Sequence, residues 1–124
     1  DWRAALDILI ESGITRVLTS GQRPTAMEGA DVIAAMIRYA AGRIEILPGS
    51  GIRANNLRLI LERTGCTQLH MSAHMLAHDM SAANGNGICF TASEIPKEGC
   101  YKLIDQNKVE EIARMLKGDT NVQL

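Results

Sequence analysis

Two places in the sequence carry residues whose types and spacing could do chemistry. Pro48-Gly49-Ser50-Gly51 follows one short apolar run, and His70-Met71-Ser72-Ala73-His74 closes another. Glycine lets the main chain approach a ligand closely, and N–H groups near a helix start carry partial positive charge. Gly49-Ser50-Gly51 ahead of a helix therefore suits a phosphate or a carboxylate. The plainer reading is a tight turn that needs glycine only to close. In the second place, two-residue alternation puts Gln68, His70 and Ser72 on one face and Leu69 and Met71 on the other. A parallel strand covered by helices is apolar on both faces, so three polar residues in register imply a polar interior or a site. His70 is then a general acid–base or a ligand contact with Ser72 as its hydrogen-bond partner, or else a histidine satisfied in a structural network. Thr19-Ser20-Gly21-Gln22 ends a third run in the same way. The candidate set is thus His70 for proton transfer and Ser20, Gly21, Gly49, Ser50, Gly51 and Ser72 for holding an anion.

Metal chemistry has weaker support. His70, His74 and His78 are spaced four apart, which on a helix would align them, but His70 reads as strand and only His74 and His78 remain as a pair beside Asp79. Cys66, Cys89 and Cys100 form no CxxC. Thiolates and the nearby thioethers of Met71, Met75 and Met80 would suit Cu(I), although methionine is more often core filler. Glu45 stands in mid-strand and either points into the same polar interior or pairs with Arg16 on the neighbouring strand, the ion pair being the preferred reading.

The elements that must position these residues read as a repeating unit. Residues 2–12 show helical spacing through Ala5, Leu6, Leu9 and Ile10, ended by Gly13. Residues 15–20 are short and β-branched, a strand. Thr25-Ala26-Met27-Glu28 is a capping box that opens a helix through Ile33 and Ile37 to Gly42. Residues 43–47 form the next strand, Asn55-Asn56 cap a helix ending at Gly65, and residues 67–72 form a third strand. Helix and strand alternate with short loops, so parallel strands joined by crossovers follow. In such architectures ligands collect at the carboxyl ends of the strands, where all three polar segments lie. Residues 79–100 read as a long loop with one extended piece at 87–91, Asp105 caps a last helix to Gly118, and the final six residues form a loose tail.

The chain has 124 residues, 46% of them apolar, and a net charge of -1 from 13 basic and 14 acidic residues. One domain with a core is implied. No basic stripe exists for nucleic acid and no polybasic segment for a membrane surface. Apolar runs fall far short of the roughly 20 residues that span a bilayer, and the start at Asp1 lacks a signal-peptide layout. With an odd number of thiols, a reduced, cytoplasmic location is expected. A beginning without Met, already inside a helical pattern, suggests a chain that starts partway through something larger.

The segments RVLTSGQRPTAMEG, GRIEILPGSGIRANNLRLILERTG and LHMSAH, in this order and spacing, resemble the C-terminal half of the CutC family of copper homeostasis proteins. The resemblance implies an α/β fold, a partial TIM (β/α)8 barrel in which the three strands are the last three of eight. It implies copper homeostasis with Cu(I) as the associated metal, and a phosphate-holding loop after the seventh strand. Where the family usually has PGGGI, this chain has Ser50 in the middle. A complete barrel needs about 250 residues, so the chain reads as a single incomplete domain over residues 1–124. Two open sheet edges imply a homo-oligomer or completion by another chain. Beside the copper reading stands an enzyme of barrel type acting on a small phosphorylated or carboxylated metabolite, with His70 moving a proton.

Overall fold

The computed structural model describes residues 1–78 and 100–118. Helix α1 (Trp2–Glu11) is capped by the Asp1 carboxylate, which accepts from the Arg3 N–H at 2.9 Å. Strand β1 (Arg16–Thr19) leads through a compact loop to α2 (Ala30–Ala40). Strand β2 (Glu45–Pro48) then precedes α3 (Leu57–Thr64), β3 (His74–His78), β4 (Cys100–Ile104) and α4 (Gln106–Lys117). α1 docks on α2 through Trp2, whose ring meets Tyr39 edge-on at 5.6 Å, and through the Tyr39 hydroxyl, which donates to Asp7 at 2.7 Å. That bond holds the Tyr39 phenol above its usual pKa.

β1 and β2 pair in parallel with Arg16 opposite Glu45, and the expected ion pair forms, Arg16 Nη2 to Glu45 Oε2 at 2.6 Å. Both partners are exposed, so water screens the attraction. The third parallel strand expected at residues 67–72 does not develop. Only Gln68 makes a bridge, and the His70 N–H donates to the Pro48 carbonyl at 2.8 Å. The cause lies in β2. Glu45 and Gly49 turn their N–H groups to the β1 side, donating to Thr15 and Thr19. Ile46 and Pro48 are left to serve the other edge, where proline has no N–H to give. The ladder loses a donor, and the segment runs alongside β2 without becoming a strand.

Two further expectations are corrected. The helix predicted from the Thr25 capping box begins five residues later, at Ala30, with Gly29 as N-cap. The Glu28 N–H does reach Thr25 Oγ1, but the Glu28 carboxylate accepts from the Thr25 hydroxyl at 2.7 Å instead of returning to the Thr25 N–H. The box is therefore half made, and it closes a turn. Second, residues 74–78 and 100–104 form an antiparallel ribbon with His74 opposite Ile104 and His78 opposite Cys100. His74-Met75-Leu76-Ala77-His78 carries no two-residue alternation, and its burial does not alternate either, so the segment holds no strand signal. The extended piece at 87–91 and the terminal tail lie outside the described residues.

One core gathers these elements. Leu6 of α1, Ile33 and Met36 of α2, Ile46 of β2, Leu57 and Ile60 of α3 and Ile112 and Leu116 of α4 are all buried, with Ile52 and Leu69 from the connecting segments. Asp105 caps α4 as expected, accepting from the Asn107 and Lys108 N–H groups. Its own N–H donates to the Ala73 carbonyl, and Lys108 Nζ donates to the His74 carbonyl, so α4 is tied to the start of β3.

Candidate functional site

The loop after β2 and the segment after α3 meet in a cavity of about 120 Å³ lined by Ser50, Gly51, Ile52, Arg53, His70, Met71 and Ser72. The proximity follows from the single bond between His70 and Pro48 described above, which sets the His70 segment beside the loop. Gly49 adjoins the cavity without lining it. A methyl group at its Cα would come within 2.6 Å of Leu18 Cδ1, so the Leu18 side chain would have to turn aside, while at 3.5 Å from His70 Nδ1 it would make only an ordinary contact with the imidazole. Burial alternates as the sequence predicts: Leu69 is buried while His70 and Ser72 are exposed.

The loop is held open from outside. Ser50 Oγ donates to the Pro24 carbonyl at 2.8 Å, and the Ser50 carbonyl accepts from the Ala26 N–H at 3.0 Å. The Gly51 carbonyl accepts from Asn56 Nδ2, while Asn56 Oδ1 accepts from the Arg53 N–H at 2.8 Å. Asn56 thus braces the loop and makes no side-chain cap on α3, the role expected of it. With these carbonyls engaged, the main-chain N–H groups of Ser50, Gly51 and Ile52 have no acceptor among the described residues. Neither has the Ser72 hydroxyl, the His70 ring or the Arg53 guanidinium. Ser50 holds φ at 79° and Gly51 at 69°. The left-handed conformation costs a non-glycine residue roughly 1–2 kcal/mol, which the two bonds to Pro24 and Ala26 offset at Ser50.

The candidates divide. Ser50, Gly51, His70 and Ser72 line one cavity, and Gly49 supports it. Ser20 and Gly21 lie elsewhere: the Ser20 hydroxyl donates to the Arg23 carbonyl, and the Gly21 N–H donates to Thr19 Oγ1 at 3.0 Å. Arg53 is the residue that reading the sequence passed over. Its signal was a cation two positions beyond Gly51, at the mouth of a loop already chosen for anions.

Metal ligation finds less in the structure. His74 and His78 sit four residues apart along β3, about 13 Å at strand rise, so they do not form the pair that helical spacing suggested. No group of three or more His, Cys, Asp or Glu side chains gathers among the described residues. Cys66 is buried, and that burial raises its thiol pKa while a hydrogen bond involving Thr64 works against the rise. A raised pKa leaves little of the reactive thiolate near neutral pH. In native protein Cys66 is expected to react with a disulfide reagent at least about tenfold more slowly than the less buried Cys100. Peptide-resolved mass spectrometry over a time course checks this, and equal labelling rates would contradict it.

The architecture is that of an α/β protein with parallel strands, flanking helices and a polar cavity at the carboxyl end of β2. Residues 1–75 match the family model described as the CutC family, and the chain belongs to that family. A CutC family protein of Treponema denticola is 42% identical over 112 residues, covering 90% of this chain and 46% of its own. One from Porphyromonas gingivalis is 40% identical, over 90% of this chain and 42% of the relative. The human protein named copper homeostasis protein cutC homolog is 37% identical over 117 residues, 94% of this chain and 43% of its own. This chain spans less than half the length of these relatives. No helix among the described residues is long and apolar enough to cross a membrane.

Proposed function

We propose that this chain is the C-terminal half of a cytoplasmic CutC-type (β/α)8 barrel taking part in copper homeostasis, and that its own contribution is a pocket for a small anionic ligand. The observation that carries the reading is the run of three main-chain N–H groups, Ser50 to Ile52, without acceptors among the described residues and bordering the cavity that Arg53 and His70 line. Ser50 and Gly51 are exposed and Ile52 is buried, and successive main-chain N–H groups at such a turn form a concavity that suits an anion. His70 and the Ser72 hydroxyl stand where a proton could be exchanged with that ligand, which is how the pocket would serve an enzyme. A thermal-shift series with inorganic phosphate and citrate tests this. Stabilisation is expected beyond that given by sodium chloride at matched ionic strength, and reduced in His70→Ala; the same shift from every salt would remove the reading.

Direct Cu(I) binding is a second reading, favoured by the Met71 thioether and His70 imidazole lining one cavity, a soft and a borderline donor side by side. Titration against a chromogenic Cu(I) chelator addresses it. Uptake that survives thiol blocking supports a site at His70 and Met71, uptake lost on blocking assigns copper to cysteine, and no uptake removes this second reading. The open edge of β1 fits completion by another copy or chain, which light scattering would register as a mass above that of the monomer.

A further inference from the structure

We infer that Met27 is a site of reversible oxidation, its thioether taken to the sulfoxide by hydrogen peroxide and the new oxygen received by the Arg63 guanidinium. Arg63 stands in the last turn of α3 and Asp31 in the first turn of α2, while Met27 lies in the turn just ahead of α2. The guanidinium is divided between them. Arg63 Nη2 holds Asp31 Oδ1 at 2.9 Å, and Arg63 Nη1 donates to Met27 Sδ at 3.7 Å. The ion pair thus fixes a cationic donor on a thioether, which is only a weak acceptor. Arginine keeps its charge at any physiological pH, so the donor is always present.

Oxidation changes the acceptor and leaves the donor where it is. A sulfur lone pair displaces hydroxide from one peroxide oxygen, the O–O bond breaking as the S–O bond forms. The proton left on the transferred oxygen passes to the hydroxide, which departs as water. Sulfur loses two electrons and the peroxide gains them. Elsewhere the product is damaging, because a polar group enters an apolar contact. Here the sulfoxide oxygen meets a charged donor already in place. Met27 packs against the core yet is only half-buried, so a molecule as small as peroxide reaches the sulfur. Met36, 6% exposed, is shielded. Met115 is half-buried on the same core but has no donor at its sulfur among the described residues. The neighbouring Pro24 and Ala26 hold Ser50, so the oxidised side chain ties that anchor more firmly to α3.

Partial oxidation of the 124-residue chain with dilute hydrogen peroxide, followed by a brief pulse of protease at its urea midpoint, tests the inference. The pulse digests unfolded molecules, and mass spectrometry of the surviving intact protein gives the sulfoxide fraction at each methionine. Sulfoxide at Met27 is expected to survive at the fraction present before the pulse, whereas sulfoxide at Met115 is depleted at least about twofold. In Arg63→Ala, pulsed at its own midpoint, sulfoxide at Met27 is expected to be depleted at least about twofold as well. Depletion at Met27 in the parent, or equal survival at Met27 and Met115, would overturn the inference. Undiminished survival at Met27 in Arg63→Ala would overturn the role of Arg63. An unoxidised Met27 under conditions that oxidise Met75, 46% exposed, would remove the site. The comparison within the parent decides by itself if Arg63→Ala fails to fold.

Discussion

Replacing Gly29 with alanine is expected to destabilise the chain by about 3 kcal/mol or more, at the upper end of what overpacking costs, or to prevent folding. Gly29 caps α2, and its Cα lies against the end of β1. An added Cβ would sit 1.9 Å from the Ser20 carbonyl oxygen and 2.9 Å from Gly21 Cα, both main-chain atoms with no rotamer to turn aside. The contact is mutual, since a Cβ on Gly21 would meet the Gly29 carbonyl oxygen at 2.4 Å, at a φ of +70°. This crossing of two backbones sets where the loop of residues 21–29 runs, and through Pro24 and Ala26 that loop anchors Ser50. Gly65 supplies the comparison. It has a positive φ, +69°, where Gly29 has -92°, but nothing within 4 Å, so Gly65→Ala should cost only the left-handed penalty of roughly 1–2 kcal/mol. Urea denaturation midpoints separate the two, and equal losses would show that the close approach does not matter.

The contrast marks which parts of the fold are legible in sequence. Helix ends near Gly13, Gly42 and Gly65 could be placed because a left-handed C-terminal residue is a local requirement that glycine meets without help from elsewhere, although in α2 the left-handed turn already begins at Ala41. The parallel pair of β1 and β2 was readable from two short β-branched runs, and its register from the opposed charges of Arg16 and Glu45. Gly29 was not readable in this way. Its reason is a backbone 8 residues away in sequence, and no local pattern carries that. The capping box misled for the same reason: Thr25 and Glu28 have the right types, but the chain there is committed to bracing Ser50, so the motif forms a turn. The third strand failed on one atom, the hydrogen that Pro48 lacks, which the sequence did show and which alternation alone does not weigh.

The site was legible to a similar degree. Gly49, Ser50, Gly51, His70 and Ser72 come together because all lie at carboxyl ends of neighbouring extended segments, a rule of parallel architecture that needs no coordinates. Ser20 and Gly21 obey the same rule yet are used up by their own turn. Arg53 was missed because its one signal, a cation two positions beyond Gly51, is a matter of position and forms no motif. Only the accounting of donors in three dimensions separates it from the chain's other arginines, several of which have partners: Arg16 on Glu45, Arg43 on Asp7 and Arg63 on Asp31.

The second large effect is expected at Leu57, and it joins stability to the pocket. Leu57 is fully buried in the cluster with Ile52 and Ile60, and its N–H donates to the Arg53 carbonyl at 3.0 Å. Its side chain is therefore the apolar nail under the end of the loop of residues 49–53. Leu57→Ala removes buried methyl groups and leaves a cavity, which costs about 2–5 kcal/mol depending on how far the surroundings relax. Leu59, two residues on and 49% exposed, should lose less than about 1 kcal/mol on the same change. The consequences for binding should split likewise. On the anion reading, loosening the core under Ile52 and Arg53 unfixes the loop's donors, and the affinity for inorganic phosphate should fall in Leu57→Ala while Leu59→Ala binds as the parent does. Denaturation and titration on the same two variants check both halves. A Leu57→Ala protein that is destabilised but binds normally would mean that the loop is positioned by Asn56 and Pro24 alone, and that the core beneath it supports the fold without supporting the site.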